Sequence, residues 1–229
     1  MILDMEHGPA DFETIENMVR AAELVGITSL VRVGDLSPNW ILRSLETGAQ
    51  GVVVPHVRSA ADAKLIVEAS SYHPEGNRGV CRVTRAAKYS ATPIFNHIRY
   101  SNETTARIGL IEDAEALDNL VDIVNTPGLH AIMVGPVDLS HSLGYGGDPD
   151  ADGMADVIAK IFDVASTSSC VVGSYVTQPE DIRRYLELGA RFIWYNMPAR
   201  VLLDGYKNAL TEMKKIAELS TSTGERCHD

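Results

Sequence analysis

The chain has 229 residues, 45% hydrophobic and 22% charged, an ordinary globular composition with enough apolar side chains for one sizeable core. Its 31 acidic against 20 basic residues give a net charge of -11, which argues against a nucleic-acid or anionic-membrane partner and leaves small molecules or other proteins. The opening Met1-Ile2-Leu3-Asp4-Met5-Glu6 has no basic flank leading into a long apolar stretch, so no secretory signal is read there, and no apolar run nears the ~20 residues of a membrane span. Cys81, Cys170 and Cys227 form an odd set without CxxC spacing; neither a disulfide framework nor a zinc site is suggested, and a reducing cytoplasm is the expected compartment.

In chain order, short β-branched or apolar runs predict strands at 1–5, 28–33, 51–55, 107–112, 130–135, 170–175 and 191–195. Segments of helical period lie between and after them, at 11–25, 38–48, 59–71, 114–125, 151–168, 179–188 and 200–219. This alternation is the signature of a parallel sheet with crossover helices, and the expected fold is a single TIM-type (β/α) barrel over 1–219 with a polar tail over 220–229. Ser37 before Pro38 reads as an N-cap with a first-turn proline, and Gly48 and Gly189 sit where helices should end. Two stretches break the rhythm. Residues 72–106 read as a long loop of the kind used as a lid, and 140–150 as a glycine-rich mobile turn without phosphate-loop spacing.

In such a barrel the polar residues just after each apolar run face the active site. They are Asp4, Glu6 and His7, then Arg32, His56, Glu112, and Asp138 after Gly135-Pro136. Glu112 and Asp138 are one β/α unit apart, so they would end adjacent strands about 5 Å apart and share a hard divalent ion such as Mg2+ or Mn2+. The plainer alternative stands beside this: Glu112 caps a helix and Asp138 stabilises a Gly-Pro turn. His7 and Arg32 are related in the same way, placing a titratable base opposite a fixed cation able to hold a carboxylate or an enolate. Arg32 also interrupts an apolar strand, a costly position unless used. Lys64, Lys160, Lys207, Lys214 and Lys215 fall in helical segments and Lys88 in the long loop; with none on a strand, metal-assisted chemistry is favoured over an imine.

Over nearly its whole length the chain resembles the class II pyruvate aldolases of the HpcH/HpaI type. The resemblance rests on Asp4-Met5-Glu6-His7-Gly8, Val31-Arg32-Val33, Glu46-Thr47-Gly48-Ala49-Gln50-Gly51, Pro74-Glu75-Gly76-Asn77-Arg78-Gly79, Ile111-Glu112 and Gly135-Pro136-Val137-Asp138-Leu139-Ser140. It implies a cytoplasmic lyase of aromatic or sugar-acid catabolism that reversibly cleaves a 4-hydroxy-2-oxo acid to pyruvate and an aldehyde through a metal-bound pyruvate enolate. Glu112 and Asp138 would hold Mg2+ or Mn2+, with Co2+ also suited, and the backbone amides of Gly135, Pro136 and Val137 would bind the substrate carboxylate. Arg32 would stabilise the enolate oxygen. His7 would be the base, acting through a metal-bound water, with Glu46 orienting it and Asp4 behind both. Arg78 and its glycine would shape the lid, and a homo-oligomer docked through the helix at 200–219, with Tyr206, Leu210 and Met213 on one face, is implied.

The chain departs from that pattern at Glu46, where Asp is more frequent, at Leu110, where Gln is frequent, and at Asn196-Met197-Pro198, which replaces a Gly and Asp after the last strand; the last two bear on the substrate pocket. The alternatives are a citrate-lyase β-like enzyme acting on an acyl-CoA thioester, against which Pro74 to Gly79 speaks, and a catalytically silent barrel serving as an assembly subunit. Only seven strands are read where a closed barrel needs eight. Relatives begin with a further strand and helix, so the expectation is a truncated or misannotated chain lacking the first β/α unit, or a gap filled by a neighbouring subunit; a hidden strand at Gly79 to Val83 is disfavoured by its arginine.

Overall fold

The computed structural model describes residues 1–224, and in it seven strands form one parallel sheet in strict chain order. They are β1 (Ile2–Asp4), β2 (Leu30–Arg32), β3 (Gly51–Val54), β4 (Ala106–Ile111), β5 (Ala131–Val134), β6 (Val171–Val176) and β7 (Phe192–Tyr195). The helices are α1 (Phe12–Leu24), α2 (Pro38–Glu46), α3 (Ala60–Ser70), α4 (Ile94–Thr104), α5 (Leu120–Val124), α6 (Pro136–Ser142), α7 (Met154–Ser166), α8 (Pro179–Glu187) and α9 (Pro198–Gly224). This is a TIM-type α/β barrel short of one β/α unit. No strand is found at Gly79 to Val83, and β1 and β7 pair with β2 and β6 alone. The two edges flank a groove of about 740 Å3, lined by Ile2, Leu30, Phe192 and Trp194 among others.

Alternation along each strand builds two apolar layers. Leu30, Val53, Ile108, Leu110, Ala131 and Met133 point into the barrel, and the register pairs Leu110 with Met133. Val31, Val33, Val52 and Val54 point outward and meet the helices. Each of those helices offers an i, i+4 pair: Ile15 with Val19 on α1, Ile41 with Leu45 on α2, Ile158 with Phe162 on α7. All are essentially buried, and each stabilises the fold by about 1.5–3 kcal/mol.

Helix entry is set by caps whose oxygens take otherwise orphaned N–H groups. Asp11 accepts from Thr14 N at 2.8 Å, Ser37 from Trp40 N at 3.4 Å and Ser59 from Asp62 N at 3.3 Å. Gly48 and Gly189, just beyond α2 and α8, have φ of +91° and +98°, values a side chain would resist.

Three expectations are corrected. The loop expected over 72–106 contains α4, whose fully buried residues are the polar His97 and Ser101, so the apolar pair Ile94 and Ile98 stood out too little to mark it. The segment 114–125 is a 3-10 turn followed by the short α5, and the turn expected over 140–150 begins inside α6, which runs to Ser142. The polar tail expected from 220 begins as a continuation of α9 to Gly224; residues from 225 on, with Cys227, lie outside the described residues.

Gly173 on β6 is a packing requirement, because a Cβ there would lie 2.2 Å from Phe192 O of β7. Gly173→Ala should therefore destabilise the protein by about 1–3 kcal/mol through forced strand separation. Gly205→Ala, exposed on α9 with nothing within 4 Å of its would-be Cβ, should be neutral or stabilising by up to ~1 kcal/mol. Urea melts of the two variants check the contrast.

Candidate active site

The register places Asp4 of β1 directly beside Arg32 of β2 at the carboxyl ends of their strands. Arg32 is 8% exposed, and its guanidinium is held from three sides. Nε donates to Asp4 Oδ1 at 2.8 Å and Nη2 to Asp4 Oδ2, a two-pronged pair. Nη1 lies 2.9 Å from Glu6 Oε2, while the flat face rests 5.0 Å from the Trp194 ring centroid. Glu6 Oε2 is buried and accepts no aligned hydrogen bond, so this contact is one of charge more than of hydrogen-bond geometry. Asp4 Oδ1 also accepts the backbone N–H groups of Glu6 and His7, at 3.0 and 3.3 Å, which fixes the loop after β1. Burial works against ionising either partner, yet their mutual hydrogen bonds and charges prevail: the Asp4 carboxyl is held below its ordinary range and the Arg32 guanidinium above its own.

Glu112 follows β4 and is 3% exposed. Its Oε1 accepts the His56 N–H at 2.9 Å. That amide is aimed by an unusual backbone, since His56 has φ +56° after Pro55, a left-handed conformation costly for a residue with a side chain. The His56 imidazole is 3.0 Å from Asp113 Oδ2 through Nδ1 and 3.7 Å from Glu6 Oε1 through Nε2, and Asp113 is held in turn by Arg58 at 3.1 Å. Burial pushes the Glu112 carboxyl up to about 7, with the nearby charges of Glu6 and Asp138 adding to the rise and the His56 amide and charge opposing it. For His56 burial alone would lower the pKa; the hydrogen bond to Asp113 and the charges of Glu112, Asp113 and Glu6 raise it instead.

Glu112, Arg32 and the segment Gly135-Pro136-Val137-Asp138 line one cavity of about 180 Å3. Asp138 stands exposed in the first turn of α6. Gly135 packs closely on the Glu112 carboxylate, since a Cβ there would sit 3.1 Å from Glu112 Oε2 and press on it. Of the three backbone amides expected to bind a carboxylate, Gly135 N–H is committed to Ile111 O at 3.1 Å and Pro136 has none, which leaves Val137 at the start of α6, where no intrahelical acceptor exists.

Other expected members fall differently. His7 is exposed, and its Nε2 lies 3.7 Å from Glu6 Oε2, so it meets Arg32 through Glu6 instead of facing it. Glu46 is the last residue of α2 and lies at the amino-terminal end of the barrel; within this chain it does not reach His7. Arg78 lies at that same end, its N–H bonded to Ser71 O, Nη1 donating to Ser101 Oγ at 3.2 Å and its guanidinium 4.6 Å from the Tyr72 ring, so it forms no lid over Glu112. Glu6 and His56, polar residues after strands with no role assigned from sequence, join Glu112 in a cluster whose ligand atoms all lie within 4.8 Å of one another. The donor set suits a divalent cation: a buried carboxylate pushed up by burial, Glu6 with a ligand atom within 4.8 Å of it, and Asp138 on the same cavity.

Carboxylates and one arginine gathered at the carboxyl ends of a β/α barrel make the layout of an enzyme site for an anionic small molecule. The family model described as HpcH/HpaI aldolase/citrate lyase matches residues 1–201, and the chain belongs to that family. It is 32% identical over 192 residues to a 2-dehydro-3,6-dideoxy-6-sulfogluconate aldolase of Pseudomonas putida, covering 84% of this chain and 74% of that one. It is 31% identical over 206 residues to a 4-hydroxy-2-oxo-heptane-1,7-dioate aldolase of Klebsiella pneumoniae, covering 90% and 77%. Among solved structures, an HpcH/HpaI aldolase/citrate lyase family protein of Burkholderia cenocepacia superposes with a TM-score of 0.88 at 28% identity, over 93% of this chain and 84% of that one.

The raised Glu112 carboxyl has a consequence for stability. Its ordinary value of 4.5 becomes about 7 in the fold, so between those values the folded chain holds a proton that the unfolded chain releases. Through this group, metal-free stability should fall as pH rises from about 4.5 to about 7. Glu112→Gln, which keeps the shape and cannot titrate, should flatten the slope in urea melts across that interval; an unaltered slope would place the titration elsewhere.

Proposed function

We propose that the chain is a class II, metal-dependent aldolase that reversibly cleaves a 4-hydroxy-2-oxo acid to pyruvate and an aldehyde. The observation that carries this is the buried Arg32 and the buried Glu112 facing one cavity closed by Gly135 to Asp138. A divalent cation, Mg2+ or Mn2+ with Co2+ also suited, would be held by Glu112 and Asp138 and, when bound, supplies Lewis-acid polarisation of the oxo acid's oxygens. The Val137 amide binds the substrate carboxylate. Arg32 has five N–H donors, of which two are bonded to Asp4, while Glu6 is a charge partner beside Nη1, and donors left free stabilise charge developing on the C2 oxygen. His7 takes the proton of the 4-hydroxyl, the C3–C4 bond breaks, the aldehyde carbonyl forms, and the bond's electron pair enters the pyruvate enolate, which is then protonated at C3. Asp4 positions both His7 and Arg32.

The protein is proposed to work as a homo-oligomer in the cytoplasm. Tyr206, Leu210 and Met213 on α9 are each more than half exposed, so that face does not pack on its own barrel. Light scattering at micromolar concentration should give a multiple of the 24.9 kDa chain, and a monomeric mass would refute this.

Coupled pyruvate release over a panel of 4-hydroxy-2-oxo acids, with Mg2+, Mn2+ or Co2+, tests the activity. Glu112→Gln should abolish turnover while circular dichroism stays native, and full activity in excess chelator would overturn the proposal. Arg32→Ala should cost about 10²–10³-fold in kcat, comparable to loss of other preorganised oxyanion donors. A near-normal rate would make Arg32 structural.

A further inference from the structure

We infer that the aldehyde released from, or added to, pyruvate in this site is uncharged and apolar, the cavity walls selecting against an acceptor with its own anionic end. The inference rests on the aldolase reading above and concerns the part of the cavity that pyruvate does not use. Beyond Arg32, Glu112 and Asp138, the walls are uncharged: Leu110, Met133, Val137 and Met197 are apolar, and Tyr175 and Trp194 add aromatic faces with a single hydroxyl and a single indole N–H. Leu110 and Met133 are paired in register, almost fully buried, and two residues before Glu112 and Gly135, so they face inward one layer below them. Tyr175 and Trp194 are likewise paired in register and meet edge to face at 5.6 Å. Val137 and Met197 stand exposed on the same lining.

A distal carboxylate or sulfonate desolvated in such a site needs a cation or several hydrogen-bond donors, and an unpaired buried charge is among the costliest defects a binding site can hold. Among the described residues lining the cavity, Arg32 is the one cation, and its donors are divided between Asp4, Glu6 and the oxo acid. Neighbouring cations lie outside the lining. His56 and Arg58 both bind Asp113, His7 stands beside Glu6, and Arg200, exposed, donates to Asp204 at 2.9 Å. Asp4, Glu6, Glu112 and Asp138 together outnumber the charge of Arg32 and a bound divalent cation, so no surplus positive charge is left for a second substrate anion. The enzymes named for a 1,7-dioate and a 6-sulfo sugar acid act on compounds with an anionic distal group. In this chain Leu110 and Met197 offer such a group no hydrogen-bond donor and no charge.

Initial-rate measurements on 4-hydroxy-2-oxo acids of equal chain length, one set ending in methyl or phenyl and one in carboxylate, test this. The neutral set is expected to show at least tenfold higher kcat/KM. Met197→Arg, which places a cation on the exposed side of the lining, is expected to shift the ratio at least tenfold toward the carboxylate set. Equal or higher kcat/KM for the carboxylate set in the unaltered protein, or a ratio unmoved by Met197→Arg, overturns the inference. Deuterium exchange into the methyl group of pyruvate, measured by NMR with the metal present, separates the two levels. Exchange together with a carboxylate preference removes the specificity inference and leaves the aldolase reading standing; absence of exchange removes both.

Discussion

A guanidinium buried at the end of a parallel strand must be paired, and the pairing of Arg32 organises much of what surrounds it. Its first partner is fixed by register alone, because Asp4 is the residue opposite it on β1. Once Asp4 is turned toward Arg32, its Oδ1 also collects the amides of Glu6 and His7, and the chain after β1 bends so that Glu6 reaches the far side of the same guanidinium. Trp194 covers the remaining flat face from β7, across the open edge of the sheet. One charge thus ties together β1, β2, β7 and the loop that carries His7. Removing it would leave two carboxylates facing each other in a half-buried site.

The same region carries more negative charge than its own cations balance. Asp4, Glu6, Glu112, Asp113 and Asp138 meet Arg32, Arg58 and His56, and burial raises the carboxyls of Glu6 and Glu112, at Glu6 against the lowering charges of Arg32, His7 and His56. The left-handed backbone at His56 is part of the same arrangement: it turns an N–H onto Glu112 Oε1 and leaves Oε2 toward Gly135 and the cavity. A strained residue, a glycine packed against the carboxylate and a buried carboxylate short of partners meet at one point, an arrangement suited to receive a cation.

The barrel and most of this site were legible in the sequence because both depend on short-range rules. Alternating apolar runs gave all seven strands within a few residues, and the position just after each run gave Asp4, Arg32, Glu112 and Asp138. What escaped had physical reasons. Helix α4 fully buries only His97 and Ser101, with Ile94 and Ile98 partly covered and Phe95 exposed, so its short apolar pattern was interrupted by polar residues on the buried side. Glu6 and His56 were visible as polar residues but not as partners, since their meeting depends on how the β1 and β3 loops bend, through an Asp4 bond and a positive φ that no spacing encodes. The amides of Gly135 and Pro136 were misjudged because the Gly135 N–H is consumed by the sheet neighbour Ile111.

Glu46 and Arg78 remain as the residues whose resemblance-based roles the single chain does not accommodate. Helix α2 starts at Pro38 beside the site end of β2 and descends nine residues, about 13 Å, so its last residue Glu46 is carried to the opposite end of the barrel. Arg78 is anchored there as well, among Ser71, Tyr72 and Ser101. A pairing of Glu46 with His7 therefore requires two chains, the amino-terminal end of one barrel meeting the carboxyl-terminal end of another. Helix α9 bears on the same geometry, since it leaves β7 at the site end of the barrel and keeps Tyr206, Leu210 and Met213 off its own core. A protein with an unpaired apolar helix face and half of an expected dyad at the wrong end of its barrel has the two features that a head-to-tail contact would satisfy together, so the oligomeric state and the role of Glu46 are one question in this chain.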